Sequence, residues 1–119
     1  MKPGPFSYVA PDSVEEVLAV LGEHGDEAKV IAGGQSLMPL LAMRLARPAH
    51  LVDLNGIASL DGIEDRGSVV AFGATTRERA AERSELVADR IPVLAEALPL
   101  IGHVSIRNRG TVEIGRAHV

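Results

Sequence analysis

The chain of 119 residues contains no cysteine and no tryptophan. Without thiols it forms no disulfide, no thiolate zinc site and no cysteine-ligated iron–sulfur cluster of its own. One tyrosine and two phenylalanines are its only aromatics, so its core is built mostly of alanine, valine, leucine and isoleucine. A row of rings on which nucleic-acid bases could stack is thereby excluded. Positive charge is also short: 12 Lys and Arg against 16 Asp and Glu give a formal net charge of −4. A binder of the phosphate backbone carries the opposite sign, so no nucleic-acid partner is expected. No apolar run approaches the roughly 20 residues that span a bilayer, and Met1-Lys2-Pro3-Gly4-Pro5-Phe6 lacks the apolar stretch of a signal peptide. A cytoplasmic protein without a membrane span is the expectation. What is present, 46% hydrophobic and 24% charged residues, is the composition of a globular domain.

Along the chain, Phe6 to Val9 reads as a short opening strand closed by Ala10-Pro11-Asp12. Ser13-Val14-Glu15-Glu16 is a capping-box pattern. Val14, Val17, Leu18 and Leu21 then mark one face of a helix that Gly22 and Gly25 bring to an end. Lys29 to Ala32 is a short buried strand, Gly33-Gly34-Gln35 a turn, and Leu37 to about Arg44 a helix with Pro39 in its first turn. His50 to Leu54 is the next strand, closed by Asn55-Gly56, so residues 28–55 read as a parallel β–α–β unit. Beyond Gly56 the character turns antiparallel. Leu60 to Glu64 and Val69 to Phe72 flank a hairpin turn. Thr75-Thr76-Arg77-Glu78 is a second capping pattern opening a helix to about Glu85. A further helix covers Pro92 to Ile101, kinked or shortened by Pro99. Residues 102–106 leave that helix, and Arg107 to Thr111 reads as a polar, glycine-containing turn.

Residues 29–45, "KVIAGGQSLMPLLAMRL", carry the chemistry. A glycine pair permits positive φ and lets a ligand approach without a Cβ in the way. Successive N–H groups in such a turn form a concavity for an anion, and the helix start adds further free amides. Ser36 either caps the helix or gives its hydroxyl to a phosphate oxygen. The stretch lacks the Gly-Lys-Ser/Thr of a P-loop and the third glycine of the dinucleotide fingerprint, so an ordinary corner and a pyrophosphate cradle both stay open. Residues 106–112, "IRNRGTV", have the same kind of composition, and two such loops could hold opposite sides of one extended ligand. Arg107 and Arg109 read either as solvated surface charge or as groups that order the second loop or meet a ligand or partner. His103 suits a helix end, and His24 and His50 lack a partner at metal-ligand spacing.

"KVIAGGQSLMPLLAMRLARPAHLVDLN" and "IGHVSIRNRGTV" together resemble the FAD-binding (medium) subunit of the molybdenum hydroxylases, the family of the carbon monoxide dehydrogenase and bacterial xanthine dehydrogenase-type enzymes. The resemblance extends over residues 1–112. It implies an α+β fold of the vanillyl-alcohol-oxidase (PCMH) type, with FAD between two subdomains: a first over residues 1–56 and the beginning of a second, antiparallel one over 57–112. It implies that Ala32, Gly33, Gly34, Gln35 and Ser36 contact the FAD pyrophosphate, with Lys29, Val30, Ile31 and Leu37 flanking them. Gly110 and Thr111 would begin a second phosphate-contacting loop, and Ile101 would pack near the flavin. The implied partners are a small subunit with two [2Fe–2S] clusters and a large subunit with molybdopterin. The flavin would pass electrons to NAD, a quinone or oxygen. No catalytic residue and no metal ligand is expected on this chain.

The family continues after Thr-Val with Gly-Gly, where this chain has Glu113 and Ile114. Residues 113–119, "EIGRAHV", resemble the translation of a common sequencing-adapter sequence, so the chain reads as the N-terminal fragment of a longer subunit. Two other readings stand beside this one: a stand-alone FAD-dependent reductase or oxidase of the same fold, and a truncated fragment that binds no cofactor.

Overall fold

The computed structural model describes residues 2–113; Ile114 to Val119, most of the adapter-like segment, lie outside the described residues. The fold is α+β, with a three-stranded parallel sheet followed by a two-stranded antiparallel one. Strands β1 (Ser7–Val9), β2 (Ala28–Ile31) and β3 (His50–Asp53) are ordered β1-β3-β2, and both pairings are parallel. The strand made last therefore lies in the middle, and it is the most buried of the three, with Leu51 and Val52 both in the core. Parallel neighbours require crossovers. Helix α1 (Val14–His24) connects β1 to β2, and α2 (Leu37–Ala42) connects β2 to β3.

The expected capping box at α1 forms with a shift. Glu16 donates its N–H to Ser13 Oγ at 3.2 Å, but the Glu16 carboxylate reaches back to the N–H of Asp12, at 3.3 Å, and not to that of Ser13. Gly25, at φ 55°, ends the helix by donating its N–H to the Leu21 carbonyl. Gly22 stays inside the helix, where an added Cβ would meet nothing within 4 Å. A helical alanine loses less chain entropy than glycine, so Gly22→Ala is expected to raise stability by about 0.5–1 kcal/mol, read as a higher urea midpoint. One core cluster forms where α1 covers the sheet: Val17, Ala28, Val52, Leu54 and Ile57. The rings of His24 and His50 stack there at 3.6 Å, so both histidines pack against each other.

The antiparallel pair is β4 (Ile63–Asp65) with β5 (Val70–Phe72). The two threonines after it do not cap a helix. Both are buried and lace the chain to the loop before β4: Thr75 Oγ1 donates to the Leu60 carbonyl at 3.0 Å, and Thr76 Oγ1 to that of Gly62 at 2.8 Å. The single polar helix expected to follow is two helices, α3 (Glu78–Glu82) and α4 (Glu85–Arg90). Ser84 breaks them apart because its Oγ takes the Val87 N–H and starts the second. Helix α5 (Pro92–Ala97) stops short of Pro99, which sits in a 3₁₀ turn over Leu98–Leu100. Residues 104–109 form helix α6 (Val104–Arg109), where the sequence predicts chain leaving a helix up to Ile106 and a polar turn from Arg107. A second core cluster, Ala81, Val87 and Leu98, gathers beneath these helices against Ile63 and Phe72. Among the described residues no helix is long and apolar enough to cross a membrane.

Candidate functional site

Strand β2 ends at Ile31, and the chain turns through Ala32, Gly33 and Gly34 into α2. Gly34 holds φ 77°, a left-handed conformation that side chains disfavour. Gly33 serves a different need. An added Cβ there would fall 2.7 Å from the Arg109 carbonyl oxygen and 2.9 Å from the Thr111 nitrogen. The first glycine of the pair is thus where the backbones of the two loops cross. The second loop is held from below by α3 and the strand-like segment before it. Glu78 donates its N–H to the Gly110 carbonyl at 2.9 Å, and Val112 donates to that of Thr76 at 2.9 Å.

The crossing leaves an open cleft of about 60 Å³ lined by residues 30–37 on one side and by Glu78, Gly110, Thr111 and Glu113 on the other. Of the residues singled out from the sequence, Val30 to Leu37, Gly110 and Thr111 meet here. Lys29 does not line the cleft and is exposed on β2. Ile101 lies in a neighbouring apolar groove with Phe72, Leu94, Leu98 and Val112, which shares Glu78 and Thr111 with the cleft. The cleft is open on one side, so a ligand need lodge only one of its groups there.

The cleft's first wall is a donor set. Among the described residues, the backbone N–H groups of Gly34, Gln35, Ser36 and Leu37 have no protein acceptor. Ser36 makes no capping hydrogen bond, and its hydroxyl has no protein partner among the described residues. The helix that follows has only six residues, so its dipole adds little, and the loop amides themselves are the donors this wall offers to an anion. The opposite wall carries two carboxyl groups. Burial pushes the Glu78 carboxyl above its ordinary range, against the pull of the Arg107 charge, and burial also raises that of Glu113. Glu78 Oε2 is buried without a hydrogen-bond partner among the described residues. Sequence reasoning misses Glu78 because its approach to Gly110 depends on pairing between segments 32 residues apart.

Two further networks fix the loops. Asn55, which turn chemistry alone would explain, donates from Nδ2 to the Ala32 carbonyl at 2.7 Å and accepts from Arg77 Nη2 at 2.8 Å. Arg77 Nη1 in turn donates to the Arg109 carbonyl at 2.7 Å, so one Asn–Arg pair ties the end of β2 to the end of α6. Arg107 is buried, which settles its role against the solvated alternative: it bonds Glu82 and three carbonyls of the segment bearing Ile101. Arg109 stays exposed.

Below Asn55, Tyr8 donates its hydroxyl to Asp53. Partial burial pushes the Asp53 carboxyl up, but hydrogen bonds from Tyr8 and Asn55 and the charge of Arg77 outweigh it and hold Asp53 below the usual range. A carboxyl whose folded pKa is depressed stabilises the fold above its unfolded pKa and loses that contribution as pH falls through the folded value. Stability is therefore expected to drop between about pH 4 and the acid limit. Asp53→Asn should flatten that limb in urea titrations run at several pH values; an unchanged limb would count against the network.

A family model described as the FAD binding domain in molybdopterin dehydrogenase matches residues 4–113. The carbon monoxide dehydrogenase medium chain of Hydrogenophaga pseudoflava is 48% identical over 118 residues, covering 99% of this chain and 41% of its own length. The 6-hydroxypseudooxynicotine dehydrogenase complex subunit alpha of Paenarthrobacter nicotinovorans is 47% identical over 118 residues, covering 99% of this chain and 40% of its own. A chain in the structure of carbon monoxide dehydrogenase from Hydrogenophaga pseudoflava superposes with a TM-score of 0.90 at 49% identity, over 93% of this chain and 39% of that one. The chain thus spans about two-fifths of the length of the relatives it matches.

Proposed function

The chain belongs to the family of FAD-binding domains in molybdopterin dehydrogenases, and from that premise we propose that it is part of the flavin-carrying subunit of a molybdenum-containing hydroxylase or dehydrogenase. In this reading residues 1–56 and 57–112 belong to two subdomains of a vanillyl-alcohol-oxidase-type fold with FAD between them. The observation that carries it is the single cleft shared by residues 30–37 and 110–111, with unpaired amides on one wall. Those amides and the Ser36 hydroxyl would hold the FAD diphosphate. Gly33 would set the spacing of the two loops, and the groove around Ile101 would receive an apolar part of the cofactor.

When bound, the flavin supplies the redox chemistry, exchanging electrons singly or in pairs, and the protein supplies binding, orientation and electrostatics. The absence of cysteine agrees with iron–sulfur clusters residing on a small partner subunit, and molybdopterin would reside on a large one. The medium chain from Hydrogenophaga pseudoflava belongs, by its name, to a carbon monoxide dehydrogenase. For this chain the substrate is chosen on the large subunit, and the acceptor is NAD, a quinone or oxygen.

The direct test is to mix the purified chain with FAD and pass it through a desalting column. Retained yellow colour and quenched flavin fluorescence are expected; free flavin in the small-molecule fraction refutes binding by this chain. Glu113 faces the cleft where the family carries glycine, and its charge opposes a diphosphate. Glu113→Gly is expected to tighten FAD binding about tenfold, the effect of removing one partly desolvated like charge, measured by fluorescence titration.

A further inference from the structure

Arg109 is the charged group of the second loop that neither the cleft nor the fold uses. It is exposed, and it forms no ion pair among the described residues. Its side chain borders a second pocket, open and almost wholly polar, with Ala32, Gly33, Asn55, Arg77 and Asn108 as the other walls. This pocket and the cleft share Ala32 and Gly33 and no other residue. Between them run the touching backbones of Gly33 and residues 109–111, where even an added Cβ would fall 2.7 Å from the Arg109 oxygen. No ligand atom passes there, so a group seated between the arginines lies outside the cleft.

What this pocket offers is donors. Half-buried Arg77 gives one N–H of Nη1 to the Arg109 carbonyl and one of Nη2 to Asn55. Its remaining N–H groups and the whole fork of Arg109 have no protein acceptor among the described residues. The oxygens around them are already engaged: the Arg109 carbonyl and Asn55 Oδ1 by Arg77, the Ala32 carbonyl by Asn55 Nδ2. Asp53, whose charge reaches Arg77, does not line the pocket and accepts from Tyr8 and Asn55. It offsets one of the two positive charges. The other stays uncompensated, in a chain whose net charge is −4. Two guanidinium groups facing one pocket repel until an anion comes between them, and their planar forks match the paired oxygens of a carboxylate or phosphate.

We propose that this pocket is an anion site separate from the cofactor cleft, in which Arg77, Arg109 and the Asn108 amide take a carboxylate or phosphate group. Its occupant ties the end of α6 to the end of β2 and so braces the glycine loop from across the crossing. The flavin reading is not needed for it.

The isotope-labelled chain is titrated by NMR with inorganic phosphate and with succinate, against chloride at matched ionic strength. The signals followed are the Nε–H groups of Arg77 and Arg109 and the side-chain amide of Asn108. Saturable shifts with phosphate or succinate, absent with chloride, are expected, and the tighter probe names the group. Arg109→Gln is expected to weaken that anion about tenfold, the scale of one hydrogen bond to a charged group. It should leave FAD affinity, read by flavin fluorescence, as it was. Asn108→Asp, which brings a carboxylate of the chain's own to the pocket, should abolish the shifts. Shifts that do not saturate, or that Arg109→Gln leaves intact, overturn the site. An equal loss of FAD and small-anion affinity in Arg109→Gln also overturns it, because the pocket would then belong to the cofactor. Shifts confined to the amides of residues 34–37 overturn it and leave the flavin reading standing. Saturable shifts at the arginines in a chain that does not retain FAD support this site while overturning binding of the flavin.

Discussion

Gly33→Ala is expected to destabilise the protein by about 1–3 kcal/mol, the cost of forcing a methyl group into a filled contact, and to open the cleft at the same time. The methyl group would point at three backbone atoms of the second loop, the Arg109 oxygen, the Thr111 nitrogen and the Gly110 Cα, at 2.7, 2.9 and 3.0 Å. None of these can rotate away as a side-chain end would. The loops must separate, and the hydrogen bonds that Arg77 makes to the Arg109 carbonyl and to Asn55 would be strained with them. Gly34→Ala gives the contrast. Its cost is the left-handed backbone at φ 77°, about 1–2 kcal/mol, and its Cβ meets the movable Met38 side chain at 3.2 Å. Both variants should lower the urea midpoint. Only Gly33→Ala should shift the amide resonances of residues 109–112; if Gly34→Ala shifts them equally, the crossing is not the reason for the first glycine.

Arg107→Met should have a comparable effect, about 1–3 kcal/mol, the scale of leaving hydrogen-bonding groups without their donor. The guanidinium side chain is 7% exposed; its Nε donates to Glu82 Oε1 at 2.8 Å, and Nη1 reaches the carbonyls of Pro99, Ile101 and Gly102 at 3.1, 2.9 and 3.0 Å. Methionine fills the volume but leaves those three carbonyls without this donor. Glu82 keeps Arg79, whose Nη1 lies 3.0 Å from the same oxygen, so the damage should centre on residues 99–102. Arg107→Lys keeps the charge, but one ammonium cannot replace a fork of donors aimed at a carboxylate and a turn of carbonyls, so an intermediate loss is expected. Hydrogen exchange should show faster opening around Ile101 in both variants. The hydrogen bond from Arg107 also holds the Glu82 carboxyl below its ordinary range. That contribution is present above the unfolded pKa and lost as pH falls through the folded one, so Arg107→Met should unfold with a shallower acid dependence.

The elements legible in the sequence are those whose causes lie close together in the chain. The capping pattern at Ser13, the apolar run into β2 and the stopping power of Pro99 are all local, and each appears within a residue or two of its expected place. The misreadings share one cause, a polar side chain spent on a distant partner. Thr75 and Thr76 look like helix caps until Leu60 and Gly62 claim their hydroxyls. Arg107 and Asn108 look like a solvated turn until Glu82, 25 residues earlier in sequence, pairs with Arg107 and lets a helix form around it. The candidate site follows the same rule. Its glycine-rich loop announces itself by composition, whereas Glu78 enters only through the pairing of residues 76–78 with residues 110–112.

The strand order has a consequence for how this part of the molecule comes into being during synthesis. β1 and β2 never pair with each other; each finds its partner only in β3. A nascent chain that has delivered everything before His50 to the ribosome exit carries both outer strands and the helices that adjoin them, yet has no template on which to register either. Neither outer strand can therefore be registered before the four-residue segment His50–Asp53 is available to take up both long-range pairings. Until then the floor on which the glycine loop rests does not exist.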